Sequence, residues 1–336
     1  MKKLPILLLI GTALSFSSCY QKSYSNLSPE DGGVQGENYN EITENPFVVV
    51  TDEPISTFSV DADGASYANA RRIMENNDRL PDGDAVRTEE FLNYFPFDYP
   101  QPAANAPISL NGEVSDCPWE PGHKLVRIGI QGKDLPREQQ PASNFVLLID
   151  VSGSMKTEDK LDLLKEAFNL FVEEMGDDDR IAIVTYAGSD KIVLESTPGT
   201  DKNKILRGIK KLSSGGGTNG AQGIITAYEI AEENFIEGGN NRIILGSDGD
   251  FNIGISSQEE LVELIEEKRE TGVFLTVLGV GSGNLNEGTM EQLANNGNGN
   301  FEYLDKAAQA RKVMVDEFSK FYTVAKDVKI QVEFNP

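Results

Sequence analysis

Between residues 144 and 324, short apolar runs alternate with stretches whose apolar residues recur at helical spacing, and this alternation leaves few folds open. Residues 145–149 (FVLLI) are uninterrupted apolar, as in a strand buried on both faces. Behind them Leu161, Leu164, Phe168, Phe171 and Met175 form one helical stripe. Further strands are predicted over 181–186, 242–247, 273–280 and 301–304, with a short antiparallel edge strand over 191–194. Helices are predicted over 202–212, from Ile224 to Phe235, over 258–270 behind a Ser256/Glu259 capping box, and over 306–324. Strands spaced by helices make a parallel sheet. The fold class expected is α/β: a doubly wound, mostly parallel sheet with helices on both faces, plus a smaller α+β flanking module.

Composition narrows the chemistry. With 54 acidic against 30 basic residues the net charge is −24, which argues against nucleic acid as a partner. One histidine and two cysteines exclude two-histidine and four-cysteine metal sites, so a metal here must be held by oxygen. His123 follows Pro121 and Gly122 and reads as a surface turn residue.

The first residues, MKKLPILLLIGTALSFSSC, place Lys2 and Lys3 before an apolar run over 4–14. That run is too short to span a bilayer, which takes about 20 residues. It has the layout of a secretory leader. Ser17 and Ser18 before Cys19 resemble a bacterial lipobox, which implies a leader over 1–18, a lipidated Cys19 and attachment to a membrane through that lipid. Cys117 is then a buried or semi-buried free thiol, with a Cys19–Cys117 bridge as the alternative. Residues 19–54 are polar and aperiodic and read as a flexible tether. Residues 55–140 read as a flanking domain with helical apolar spacing (Tyr67, Ala70, Ile73, Met74, then Val86, Phe91, Leu92) and strands over 108–114 and 124–131. Residues 141–324 form the main domain, and 325–336 begin a C-terminal β region.

Three loops after predicted strands carry the candidate chemistry: DVSGSM with Asp150, Ser152 and Ser154; SSGGGTNG with Thr218; and SDGDFN with Asp248. In a doubly wound sheet such loops gather at the carboxyl ends of the strands, where ligands bind. Three hydroxyls and two carboxylates are hard oxygen donors, suited to Mg²⁺, with Mn²⁺ or Ca²⁺ as alternatives. Two aspartates cancel a divalent charge, and such a near-neutral site is expected to accept one further carboxylate from outside.

These motifs, in this order and with these elements between them, resemble the metal-ion-dependent adhesion site of von Willebrand factor type A (VWA) domains. The resemblance implies that Ser152, Ser154 and Thr218 approach the metal closely, and that Asp150 and Asp248 bind directly or through water. It also implies a partner-binding rim at Met155, Gly217, Asn219 and Asp250. The segments FSVDADGASYANARRIMENN, AVRTEEFLNYFPFDYPQP and YTVAKDVKIQVEFNP resemble the flanks of VWA-domain lipoproteins of the bacterial envelope. In such proteins a further C-terminal region follows, so the chain is expected to be truncated or incomplete at Pro336. The function so implied is non-enzymatic: an envelope lipoprotein, periplasmic or at the cell surface, gripping a partner protein's Asp or Glu through Mg²⁺. The competing readings are a Mg²⁺-dependent phosphohydrolase in the same cleft and a structural scaffold.

Other motifs read as structure. From position 248 the chain runs D-x-D-x-N to Glu259, but Ile253 occupies the place where an EF-hand loop needs glycine. Asp61-Ala62-Asp63 lacks a surrounding α/β unit and reads as an acidic turn rather than an aspartyl nucleophile. The run 177–179 reads as solvated. Ser152 stands where an aspartyl phosphohydrolase needs its second carboxylate. Alternating Val328, Ile330, Val332 and Phe334 form a one-faced strand, expected to pair with 108–114 or 124–131.

Overall fold

The computed structural model describes residues 36–335 apart from 61, 78, 104, 218–219, 250–257 and 326–327. The chain opens with β1 (Ile55–Ser59), α1 (Ala65–Asn77), α2 (Thr88–Asn93) and a hairpin of β2 (Ile108–Asp116) and β3 (Lys124–Gly132). Then follow β4 (Ser143–Asp150), α3 (Leu163–Glu174), β5 (Arg180–Tyr186), β6 (Asp190–Pro198), α4 (Lys202–Lys210) and α5 (Gly220–Glu233). The last part holds β7 (Asn240–Ser247), α6 (Gln258–Arg269), β8 (Val273–Val280), α7 (Glu287–Asn296), β9 (Phe301–Leu304), α8 (Ala307–Arg311) and β10 (Lys329–Glu333).

Six strands form one sheet in the order β6-β5-β4-β7-β8-β9, parallel except for the β5–β6 edge. The expected α/β architecture is the one observed. Every residue of β4, β7 and β8 is buried, and the alternation of each strand divides its apolar run between two cores. Phe145, Leu147 and Ile149 meet the α3 side, whereas Val146 and Leu148 meet the α5 side. Each such side chain contributes about 1.5–3 kcal/mol by leaving water. The crossovers place β5 on one flank of β4 and β7 on the other. The chain therefore splits at the carboxyl end of β4, beside Asp150.

The structure departs from the sequence reading in several places. The closing helix is not continuous to Val324. Helix α8 is followed by a π turn (Lys312–Asp316) and a 3₁₀ turn (Phe318–Phe321). Phe318 and Phe321 both pack on Phe171, with ring centroids 5.2 Å away, and this aromatic packing overrides regular winding. Nor is the flank separate from the main core: Ala65 and Ala68 of α1 lie in the same buried cluster as Phe301 and Tyr303 of β9. Arg71 reinforces that seam with two hydrogen bonds to Asp305, at 2.9 and 2.6 Å.

Two acidic residues, one read as part of an acidic turn and one as solvated, are buried. Asp63 accepts the backbone N–H of Phe301 at 3.0 Å and so pins the start of β9. Asp179 accepts the N–H groups of Ser143 and Gly176, and burial raises its pKa. Each carboxylate satisfies backbone donors that would otherwise be buried unpaired. Residue 36 onward is no free tether. Glu37 accepts from Arg72 at 2.9 Å and from the Gly283 N–H at 2.9 Å, and the Asn38 N–H donates to the Leu285 carbonyl at 2.9 Å. His123 is exposed and Cys117 is a buried free thiol. The leader and Cys19 lie outside the described residues, as does Ser256 of the capping box. Among the described residues, no helix is long and apolar enough to cross a membrane.

The final strand also finds a different partner. β10 pairs antiparallel with β1, Phe58 opposite Ile330, while β2 and β3 pair with each other, Leu110 opposite Ile130. The β2–β3 hairpin closes a short loop, at lower entropic cost than recruiting a strand some two hundred residues away. Deleting residues 325–336 should therefore cost the amides of 55–59 at least about tenfold in hydrogen-exchange protection and leave 108–132 unchanged. Undiminished protection at 55–59 would show that β10 does not hold β1 in place.

Candidate metal centre

Four of the five residues expected to hold a metal meet at the carboxyl end of the sheet. Asp150 ends β4, and the chain then turns through Ser152 into a 3₁₀ turn (Gly153–Lys156) that carries Ser154. Asp248 follows β7, the neighbour of β4. Asp150, Ser152 and Asp248 are buried. The Asp150 carboxylate accepts the Ser152 backbone N–H at 2.8 Å and the Ser247 hydroxyl at 3.2 Å. The Ser152 and Ser154 hydroxyl oxygens lie 2.9 Å apart, and Ser154 also hydrogen-bonds the Asp248 carboxylate. The alternate positions 150, 152 and 154 thus converge, as the spacing predicts.

Among the described residues, backbone hydrogen bonds tie the glycine-rich loop to this turn. The Gly153 N–H donates to the Gly216 carbonyl at 3.1 Å, and the Gly215 N–H to the Val151 carbonyl at 2.7 Å. Thr218, the fifth expected ligand, lies outside the described residues, as do Asn219 and Asp250 of the expected rim. Gly217 is exposed at the surface of the loop. Met155 is not on the rim: it is fully buried in the α3-side core and offers a partner no surface. The 3₁₀ turn after Ser152 directs it inward, where its flexible thioether fills the space under the loop.

The two carboxylates are held unequally. Burial raises the Asp150 pKa to about 6, opposed by hydrogen bonds from Ser152 and Ser247 and reinforced by the nearby charge of Asp248. Asp248 is also buried, yet its pKa is lowered, because Asn284, Lys160 and Ser154 all stabilise the ionised form. Lys160 Nζ lies 3.0 Å from Asp248 Oδ2 and 2.7 Å from Asn284 Oδ1, and Asn284 Nδ2 donates to the same Asp248 oxygen at 3.0 Å. Asp150 thus receives neutral donors, whereas Asp248 receives an ammonium.

Lys160, Asn284 and Ser247 were not singled out by sequence reasoning. One signal existed for Lys160. It lies four residues before Leu164, on the same face as the apolar stripe, a charge where only carbon is expected. It sits in a π turn (Glu158–Asp162) at the head of α3, a local rewinding that re-aims side chains at functional sites. Gly281 makes room for it: at φ +79°, a Cβ there would collide with the lysine stem.

The donor set fits a hard divalent cation. Two carboxylates and two hydroxyls, all oxygen, converge in a buried pocket, and Asp150 stands ionisable beside Asp248 with only neutral donors of its own. Among the described residues no group of three or more His, Cys, Asp or Glu could hold a metal.

A family model described as von Willebrand factor matches residues 33–127, and one described as von Willebrand factor type A domain matches residues 145–250. The chain is 44% identical over 306 residues to the uncharacterized protein YfbK of Escherichia coli, a match covering 89% of this chain and 53% of that protein. The chain spans about half the length of the curated relatives it matches. Among solved structures, an aerotolerance-related membrane protein of Bacteroides fragilis is 22% identical with a TM-score of 0.43, covering 53% of this chain and 100% of that one. The proximal thread matrix protein 1 of the mussel byssus, described with a zinc-occupied MIDAS motif, is 23% identical with a TM-score of 0.41, covering 53% of this chain and 45% of that one. The two family models, one on the flank and one on the sheet that carries Asp150 and Asp248, show that the chain contains a von Willebrand factor type A domain.

Proposed function

We propose that the protein is an envelope lipoprotein, anchored through Cys19, whose VWA domain binds a partner protein through a Mg²⁺-centred adhesion site. The observation that carries this reading is the convergence of Asp150, Ser152, Ser154 and Asp248 at the carboxyl end of the central strands. Those four residues, with Thr218 from the glycine-rich loop, would hold the ion. When bound, a hard cation supplies an electrophilic centre that an Asp or Glu of the partner can complete. The chain's own part is orientation: the Ser152 N–H and Ser247 hydroxyl fix Asp150, and Lys160 with Asn284 fixes Asp248.

Affinity capture from solubilised membranes tests the reading. A partner should be retained with Mg²⁺ and lost with chelator or with Thr218→Ala. Cys19→Ala should shift the protein out of the membrane fraction, since acyl chains supply the anchoring energy. Metal-independent capture would refute the adhesion site, and unchanged membrane attachment of Cys19→Ala would refute the lipid anchor.

A further inference from the structure

Two carboxylates alone would neutralise a divalent cation, but the pocket holds a third charge. Lys160 is nearly fully buried, and its ammonium is shared between Asp248 Oδ2 and Asn284 Oδ1, at 3.0 and 2.7 Å. The arrangement is built rather than incidental. A π turn aims the lysine inward, Gly281 leaves space for its stem, and the Tyr303 hydroxyl donates to the Gly281 carbonyl, holding that loop in place. Asn284 bonds both the ammonium and the carboxylate, so the lysine cannot leave without unpairing the buried Asp248 and the half-buried Asn284.

We propose that Lys160 is a specificity-determining residue of the metal centre: it weakens the hold on the cation and makes the loaded site positive, so that an anionic carboxylate is selected as the completing ligand. The inference rests on the metal-site reading above. Two carboxylates, one ammonium and one divalent ion sum to a single positive charge. In a buried pocket that charge acts at short range through a low effective dielectric. A partner carboxylate restores neutrality, whereas a neutral amide or water does not. The cost is borne by metal affinity, because ammonium and metal ion repel each other and compete for the electron density of Asp248.

The two consequences have opposite signs, which makes the test specific. Mg²⁺ affinity is read by calorimetry, and carboxylate affinity by acetate titration of the Mn²⁺-loaded full chain, followed by water-proton relaxation. Lys160→Met should bind Mg²⁺ about tenfold more tightly, and its loaded form should take acetate about fivefold more weakly. Lys160→Gln, which removes the charge but keeps an N–H donor for Asp248, should move both affinities in the same directions as Lys160→Met. It preserves the test if Lys160→Met does not fold. If wild type binds neither Mg²⁺ nor Mn²⁺, the metal-site reading fails. If wild type binds metal but the neutralising variants bind it no more tightly, or take acetate as well as wild type, the role of Lys160 is wrong and the metal site stands.

Discussion

Asp150→Asn should lose at least about a hundredfold in Mg²⁺ affinity, roughly 2.7 kcal/mol, while its metal-free fold melts no lower than wild type. The two halves of this result have one cause. Without a cation, the Asp150 carboxylate is buried beside Asp248, and both burial and that neighbour disfavour its charge. An amide keeps its one oxygen for the Ser152 N–H and turns its NH₂ toward the Ser247 hydroxyl, which can accept as well as donate, and it carries no charge to bury. With the metal the balance reverses, because that charge is what a divalent ion binds. Titration calorimetry and differential scanning calorimetry in chelator check the two halves. Equal Mg²⁺ binding by the two proteins would remove Asp150 from the site. A markedly lower melting temperature in chelator would mean that its charge is needed for folding alone.

Glu287→Gln should flatten the pH dependence of stability between about pH 5 and pH 8. Glu287 opens α7 and is buried, with neither carboxylate oxygen hydrogen-bonded among the described residues. Arg87 Nε stands 3.9 Å away, and Glu90, Glu291 and Glu37 face the same pocket. Burial is the largest influence and, with the three neighbouring glutamates, raises the pKa from 4.5 to about 8 against the pull of Arg87. A carboxyl with its pKa raised on folding is neutral in both states below its unfolded value. As pH rises toward the folded value, the unfolded chain ionises freely and the native one resists, so stability falls. At pH 8 the wild type should have lost on the order of 3 kcal/mol relative to pH 4.5 through this one group, and Glu287→Gln should be spared that loss. Denaturant melts of both proteins across this range read the difference directly. Parallel profiles would show that the carboxyl is paired or solvated in solution.

The placement of Glu287 bears on the metal centre as well. The backbone N–H of Glu287 donates to the Asn38 carbonyl, and Asn38 in turn donates to Leu285. This strap holds the 283–288 segment, which also carries Asn284, the partner of Lys160 and Asp248. Neither the strap nor the carboxylate could be read from periodicity, because residues 36–40 are polar and aperiodic.

What the sequence determined by itself was the sheet and most of the site. The FVLLI run reads as a doubly buried strand, and alternate hydroxyls after its terminal aspartate can be aimed together at its carboxyl end. Both follow from local period and from the topology of parallel sheets, which leave little choice. Tertiary structure decided the rest. Lys160 is one charge on an apolar stripe, and nothing local says that it reaches Asp248 rather than snorkelling to solvent. Asp63 and Asp179 look like turn acids until distant backbone donors need them. The pairing of β10 with β1, and the merging of α1 with the β9 edge, depend on which edges remain open once nearer strands have closed on each other. Local patterns fix which faces must be buried. Only the assembled fold fixes which buried charges meet, because that depends on partners far apart in the chain and on the low dielectric between them.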